Sequence, residues 1–150
     1  MSALITTGMV DLDLKATNRA EATAHLAGLL ASSGRVTDLE GFLADVRARE
    51  AQMPTGIEGG IGIPHARSRF VTAPTLGFGR SAAGVDFGAE DGPAHLIFLI
   101  AAPEGGGEDH MTILASLARR LVHRSFRESL LGAAEAQAVV DLVDREVLGR

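Results

Sequence analysis

The most hydrophobic run of the chain, residues 95–102, restricts its fold more than any other feature. It reads His-Leu-Ile-Phe-Leu-Ile-Ala-Ala and is closed by Pro103. A short, continuous apolar run of this kind is typical of a strand in the middle of a sheet, where both faces are covered. We interpret His95, which begins the run, as structural. The run therefore predicts a central buried strand.

Helical and strand patterns alternate on either side of this run. Asn18 followed by Glu21 predicts a helix start, and Thr37 with Glu40 repeats the capping-box pattern and predicts the start of a second helix. Residues 4–14 alternate apolar and polar positions towards their end and predict a strand. Because helices and strands are interleaved without internal repeats, the sequence predicts a single α/β or α+β domain.

Composition excludes several classes of function. The chain has 150 residues, enough for one domain with a proper core. Its formal net charge is −5 and its fourteen Lys and Arg residues are scattered, which argues against a nucleic-acid partner. It contains no cysteine, so disulfides, cysteine zinc sites and thiol nucleophiles are excluded. No apolar run approaches the ~20 residues that span a bilayer, and the N-terminus lacks a signal pattern. We therefore expect a cytoplasmic protein without direct membrane insertion.

The stretch 60–67, Gly-Ile-Gly-Ile-Pro-His-Ala-Arg, is the first candidate for a functional site. Pro64 fixes its own φ and pushes Ile63 into an extended conformation, so we expect His65 where a strand-like segment stops. A histidine in such a place can present one ring nitrogen to solvent while the chain below it is buried. From this motif alone, a histidine that merely caps a strand remains an alternative.

A second histidine, His110, follows the glycine-rich residues 103–109 and lies in or beside the first turn of a predicted helix. The N-terminus of a helix is a ready site for an anion. Together with His65 and an arginine, this arrangement suits a phosphate. Arg49, near the end of the second predicted helix, either stabilises the helix dipole or points at the region of His65.

Other chemistries are disfavoured by missing motifs. The chain has no G-x-S-x-G elbow and no G-K-[ST] after its glycines. His65, His110 and an acidic residue would make a three-ligand metal site, but neither histidine lies in an H-x-x-H or H-E-x-x-H spacing, so we expect no metal and no cofactor. What remains is histidine as a nucleophile, since an imidazole with an ordinary pKa of about 6.5 keeps a lone pair near neutral pH and can accept a phosphoryl group.

Six groups of residues share their order and spacing with a known family. They are Arg49-Glu50, Thr55-Gly56, Gly62-Ile63-Pro64-His65-Ala66-Arg67, Val85-Asp86-Phe87, Asp91-Gly92, and His110 to Leu117 with Ala118-Arg119. The pattern resembles the enzyme IIA domain of the bacterial phosphotransferase system, fructose/mannitol type, and runs from about Leu4 to Leu148. The resemblance implies that residues 1–150 form a single domain, an α/β sandwich in which a mixed sheet of about five strands is flanked by helices.

The resemblance also implies a site and its partners. It implies that His65 receives a phosphoryl group from phospho-HPr, and that His110 and Arg49 stabilise the phosphorylated form. Thr55 and Arg67 are candidate neighbours of the site. Enzyme IIB domains of this type accept the phosphate on a cysteine, and this chain has none, so we expect the IIB acceptor on a separate chain or on a missing part of a longer one. The alternative is a regulatory role like that of nitrogen-related members, which control partner proteins according to their phosphorylation.

Overall fold

Helices and strands alternate along the chain, as the sequence predicts. A computed structural model describes residues 3–105 and 107–149, and of residues 107–111 it describes the backbone alone. The strands in this part are β1 (Val10–Asp11), β2 (Gly56–Ile57), β3 (Ile61–Gly62), β4 (His65–Ser68), β5 (Thr75–Val85) and β6 (Ala94–Pro103). The helices are α1 (Arg19–Ser32), α2 (Leu39–Gln52), α3 (Gly107–Leu121), α4 (Arg124–Leu131) and α5 (Ala136–Glu146).

The strands form one mixed sheet of the order β1-β5-β6-β3-β2, with β4 also paired to β6. Strand β5 runs antiparallel to β6, whereas β3 and β4 both run parallel to it. Ile61 pairs with Leu96 and His65 pairs with Ile100, so the register continues unchanged from β3 to β4. The expected α/β fold with a mixed sheet is confirmed. The described part has six strands instead of about five because Pro64, which lacks an N–H, interrupts one extended segment.

Strand β6 occupies the centre of the core. Its residues from Leu96 to Ala102 are all buried, without the alternation of a strand that faces water on one side. Phe98 of β6 lies opposite Phe78 of β5, and their ring centroids are 4.9 Å apart. Helices α1 and α2 pack against each other and against β5 and β4, while α3 and α4 contact β6. The predicted central strand is therefore confirmed. None of the described helices is long and apolar enough to cross a membrane.

The predicted strand over residues 4–14 is wrong for most of its length. A 3-10 turn spans Thr7–Met9, and only the two residues of β1 pair with β5. The side chain of Asp11 then accepts a hydrogen bond from the backbone N–H of Asp13 at 2.9 Å. Such a local bond closes a turn and competes with the sheet ladder, which explains why the strand ends there.

Of the two predicted helix starts, one is confirmed and one is displaced. The backbone N–H of Glu21 donates to the side chain of Asn18 at 2.9 Å, as the N-terminal cap of α1 requires. Helix α2 is instead capped by Asp38, which accepts a hydrogen bond from the N–H of Gly41. The hydroxyl of Thr37 is engaged by the carbonyl of Phe70, so it does not serve as the cap.

Candidate functional site

His65 is the first residue of β4, directly after the interruption at Pro64. The carbonyl of Pro64 still accepts a hydrogen bond from the N–H of Ile100 at 3.0 Å, which anchors the interruption to β6. Strand β3 does stop before His65, as expected, but a new strand begins at the histidine itself. Its side chain is half-buried, so the ring is held by the protein without being sealed from solvent.

The imidazole of His65 is fixed by its own backbone neighbourhood. Its Nδ1 lies 2.8 Å from the carbonyl oxygen of Ile63. Because a carbonyl oxygen only accepts hydrogen bonds, Nδ1 carries the proton in this contact. In the neutral ring the lone pair then resides on Nε2. In this geometry Nε2 is the nitrogen of His65 that can act as a nucleophile.

Arg67 shares the face of β4 on which His65 lies, because side chains two residues apart point to the same side of a strand. It is exposed, and its Nη2 donates a hydrogen bond to the carbonyl of Glu104 at 2.8 Å. Arg67 therefore ties β4 to the loop that leads from β6 into α3.

Arg49 lies in the last turn of α2. Its Nη1 donates to the carbonyl of Met53 at 3.2 Å, which satisfies a carbonyl just beyond the helix end and suits the helix dipole. The guanidinium has five N–H donors, and this bond uses one of them. Arg49 is half-buried. The structure therefore shows Arg49 at the end of α2, bonded to the carbonyl of Met53, with donors left for a phosphate.

The C-terminal end of α2 is directed towards the His65 end of β4. At the other end of the strand, the hydroxyl of Ser68 donates to Asp45 at 2.7 Å. One turn further along α2, Glu50 bonds Thr55, whose carbonyl accepts from the N–H of Ile63. Helix α2 and β4 therefore run in opposite directions, and the C-terminal end of α2, which carries Arg49, lies towards the end of β4 at which His65 stands.

Thr55 is 5% exposed and is bound by a carboxylate that the sequence did not single out as a site residue. Its hydroxyl donates to Oε1 of Glu50 at 2.7 Å and its backbone N–H donates to Oε2 at 2.9 Å. Only the adjacency of Glu50 to Arg49 signalled this residue, since the spacing of five to Thr55 follows no standard motif.

His110 is the fourth residue of α3 and lies in its first turn, as expected. Its side chain is outside the described residues, so its predicted role beside His65 stays a prediction. Among the side chains that are described, no group of three or more His, Cys, Asp or Glu residues is placed to hold a metal ion.

A mixed sheet covered on both faces, with a half-buried histidine at the start of β4, provides what a domain that transfers a group through a histidine needs. The family described as "Phosphoenolpyruvate-dependent sugar phosphotransferase system, EIIA 2" matches residues 3–146. The chain belongs to this family and is an EIIA-type phosphocarrier of that system. The resemblance noted in the sequence is thereby confirmed.

Two relatives of the chain are fructose-specific components of this system. It is 42% identical over 136 residues to the fructose-specific EIIA component of Haloferax volcanii, covering 90% of this chain and 88% of the relative. It is 34% identical to the fructose-specific EIIABC component of Bacillus subtilis, covering 97% of this chain but 23% of that protein. The chain thus matches nearly all of the first relative and under a quarter of the second.

Solved structures share the fold over almost the whole chain. The nitrogen regulatory protein IIA-Ntr of Neisseria meningitidis has a TM-score of 0.86 at 28% identity, covering 93% of this chain and 96% of that one. Enzyme IIA mannitol of Escherichia coli, in a complex with phosphorylated enzyme IIB mannitol, has a TM-score of 0.79 at 25% identity and covers 98% of this chain and 100% of that one. Both similarities support the same α/β architecture.

Proposed function

We propose that His65 is the residue that carries the phosphoryl group, through its Nε2 atom. The observation that supports this most directly is the 2.8 Å contact between Nδ1 and the carbonyl of Ile63, which leaves the lone pair on Nε2. In the forward step, this lone pair forms a bond to the phosphorus of phospho-HPr, while the bond between phosphorus and HPr breaks and its electron pair stays with HPr. The Nδ1 proton stays on the ring, where the carbonyl oxygen of Ile63 stabilises the positive charge of the phosphorylated imidazole.

Charge stabilisation comes from the residues that surround the histidine. Phosphoryl transfer depends mainly on positioning and on neutralising charge on the equatorial oxygens. We assign this role to Arg49 and to His110 at the N-terminus of α3. Thr55 and Arg67 act next to the site instead of on the phosphate, since the hydroxyl of Thr55 is bound to Glu50 and Arg67 to the carbonyl of Glu104.

The acceptor is a cysteine of an enzyme IIB. This chain contains no cysteine, so the acceptor thiol lies on another chain or on another part of a longer one. Both arrangements have a parallel, because the Bacillus subtilis relative is a fused EIIABC component and the Escherichia coli mannitol enzymes form a complex. In the receiving step the thiolate attacks the phosphorus and the P–N bond breaks, which returns the electron pair to Nε2. We place the protein in the cytoplasm and treat residues 1–150 as one EIIA domain.

A regulatory role is the second candidate. The TM-score of 0.86 to a nitrogen regulatory IIA protein favours it, whereas the 42% identity to a fructose-specific EIIA component favours sugar uptake. Both roles use the same phosphorylated histidine. They differ in whether the phosphoryl group is delivered to a IIB or serves as a signal to partner proteins.

The experiment is phosphorylation by phosphoenolpyruvate in the presence of enzyme I and HPr. The wild type is expected to acquire an acid-labile phosphoryl group that chases onto a fructose-type IIB. The His65→Gln variant, which keeps a polar side chain of similar length, should acquire none, whereas His123→Gln, at the exposed residue just before α4, should behave as the wild type. Label that persists in His65→Gln would contradict the assignment, and label that never chases onto any IIB would favour the regulatory role.

A further inference from the structure

Glu50, near the C-terminal end of α2, is the most heavily engaged carboxylate near the site. Its side chain is 11% exposed. Its two oxygens accept hydrogen bonds from the hydroxyl of Thr55 at 2.7 Å, from the backbone N–H of Thr55 at 2.9 Å, and from Nη1 of Arg19 at 3.1 Å. A carboxylate accepts several such bonds well, because each oxygen has two lone pairs.

From Glu50, hydrogen bonds lead through Thr55 to Ile63, the residue whose carbonyl faces His65. Glu50 fixes Thr55, and the carbonyl of Thr55 accepts from the N–H of Ile63 at 3.1 Å. The carbonyl of Ile63 in turn faces Nδ1 of His65 at 2.8 Å. Thr55 therefore holds the peptide group just before the α-carbon of Ile63, and the carbonyl that faces His65 belongs to the next peptide group, between Ile63 and Pro64. Thr55 is in turn held by Glu50.

Arg19 extends the same network to the other side of the segment. Besides Glu50, its guanidinium donates from Nε to the carbonyl of Asp86 at 3.1 Å and lies 5.8 Å above the ring of Phe87. The carbonyl of Phe87 accepts from the N–H of Gly56 at 2.9 Å. Arg19 thus contacts the segment at Thr55 and Gly56 in two ways. One runs through Glu50 to Thr55, and the other runs through Phe87 to Gly56.

We propose that Glu50 is a positioning residue for His65: by holding Thr55 it holds the backbone of Ile63 at its N–H, and the carbonyl of that same residue then keeps the proton of the imidazole on Nδ1 and the lone pair on Nε2. The proposal rests on the proposed phosphorylation of His65. Glu50 does not itself contact the phosphoryl group. It acts as a carboxylate or carbonyl acts behind a metal-bound histidine, where the outer partner sets the tautomer and the orientation of the ring.

The test uses Glu50→Gln, which keeps the size of the side chain but replaces one acceptor oxygen with an NH2 group. At the Oε2 position the NH2 group would face two donors, the backbone N–H of Thr55 and Arg19. At the Oε1 position the hydroxyl of Thr55 would have to turn round to accept from it. In both orientations the charge of the carboxylate, which strengthens these bonds, is lost. The tautomer of His65 is read by two-bond 1H–15N NMR at a pH of about 9, at which imidazole side chains in general are neutral. The rate of phosphorylation by phospho-HPr is measured in parallel.

The wild type is expected to show the Nδ1–H tautomer alone, and Glu50→Gln a mixture of both tautomers with a rate that is lower by about tenfold, the usual effect of removing an outer-sphere partner of a functional histidine. The matched control is Glu40→Gln, which removes the same charge from an exposed position on the same helix and should change neither readout. Thr55→Val, which keeps the backbone bonds and removes only the hydroxyl, is expected to shift the tautomer in the same direction and serves if Glu50→Gln fails to fold.

An unchanged tautomer in the folded variants would overturn the proposal, even if their melting temperature or rate fell, because Glu50 would then be only a stabilising residue. A mixed tautomer at an unchanged rate would also overturn it. The NMR measurement needs no phosphoryl donor. If the wild type were never phosphorylated, the proposed function would fail while the tautomer result would still stand on its own.

Discussion

The α-carbon of Gly62 lies against the ring of Phe87. A Cβ atom at residue 62 would come within 2.7 Å of two ring carbons of Phe87, a distance that packed atoms do not reach. The ring cannot withdraw easily, because Phe87 is fully buried and its backbone carbonyl is bound by the N–H of Gly56. Glycine at this position lets β3 approach the core closely, and β3 is the strand from which the chain enters Pro64 and His65.

We therefore expect Gly62→Ala to destabilise the protein by about 1–3 kcal/mol, the usual cost of overpacking a well-filled core, and to slow phosphorylation of His65. The control is Gly28→Ala in α1, where an added Cβ meets nothing within 4 Å and the better helix propensity of alanine should stabilise the protein by roughly 0.5–1 kcal/mol. Urea unfolding of both variants measures the difference. If Gly62→Ala were as stable as the wild type, the ring of Phe87 would move aside without a measurable cost.

Arg49 has two roles that one pair of substitutions separates. If it only caps α2 through the carbonyl of Met53, Arg49→Ala should cost less than about 1 kcal/mol in stability and leave phosphorylation unchanged. If its remaining donors neutralise the transferring phosphoryl group, the rate should fall by about 100-fold, as for loss of one preorganised transition-state donor. We expect the second result.

The control for charge is Arg47→Ala, an exposed arginine on the same helix two residues earlier. It removes the same charge but is not expected to change the rate by more than twofold, since exposed charges are screened within roughly 10 Å at ordinary salt. A comparable loss in both variants would mean that Arg49 acts through the general field of α2 and not through contact with the phosphate.

Much of the fold could be predicted from patterns that carry a local physical reason. The continuous apolar run of β6 needs no tertiary information, because only a doubly covered strand satisfies it. The cap of α1 by Asn18 is equally local. By contrast, the start of α2 depended on which of two adjacent cap-forming residues was available, and the contact of Thr37 with Phe70 decided it. That contact spans 33 positions in the chain, which no local pattern shows.

The sequence singles out the centre of the proposed site but not the residues around it. The Pro64-His65 pair can be recognised in the sequence, because proline restricts its own backbone and that of the residue before it. Glu50 is not marked in this way, since its contacts with Arg19 and Thr55 arise only when the fold brings these residues together. Arg67 was expected near the site and lies on the face of His65, but its bond to the carbonyl of Glu104 shows a tether to a loop. Such second-layer partners are set by packing and not by spacing.

Arg80 joins the sheet to the end of α4 and offers a test that is remote from the site. Its Nη1 donates to the carbonyls of Leu130, Leu131 and Ala133 at 3.1, 3.0 and 2.7 Å. These groups lie at the C-terminal end of α4, where carbonyls have no partner within the helix. We expect Arg80→Met, which keeps the apolar stem, to cost about 2–3 kcal/mol by leaving these acceptors without a charged donor.

Calorimetry should show this loss as a fall of roughly 5–10 °C in melting temperature, while phosphorylation below that temperature is unchanged. Arg124→Met is the matched control. Its partner Glu128 lies at 3.0 Å, and both side chains are largely exposed, so the pair should contribute less than about 0.5 kcal/mol. If the two variants had the same melting temperature, the contacts of Arg80 would not contribute to stability.

Glu21 gives the start of α1 a pH dependence of known sign. The hydroxyl of Thr17, which donates to its Oε1, and then the backbone N–H of Thr17 hold the pKa of Glu21 below its ordinary value of 4.5. Because the folded pKa is lower than the unfolded one, the ionised carboxylate stabilises the fold fully above pH 4.5, and this contribution is lost as the pH falls through the folded pKa.

The wild type should therefore have a higher melting temperature than Glu21→Gln at neutral pH, and the difference should shrink as the pH is lowered below 4.5. In a Thr17→Val background the same comparison should give a smaller difference with a weaker pH dependence. A difference that stayed constant from neutral to acidic pH in both backgrounds would mean that the Thr17 bonds do not set the pKa of Glu21.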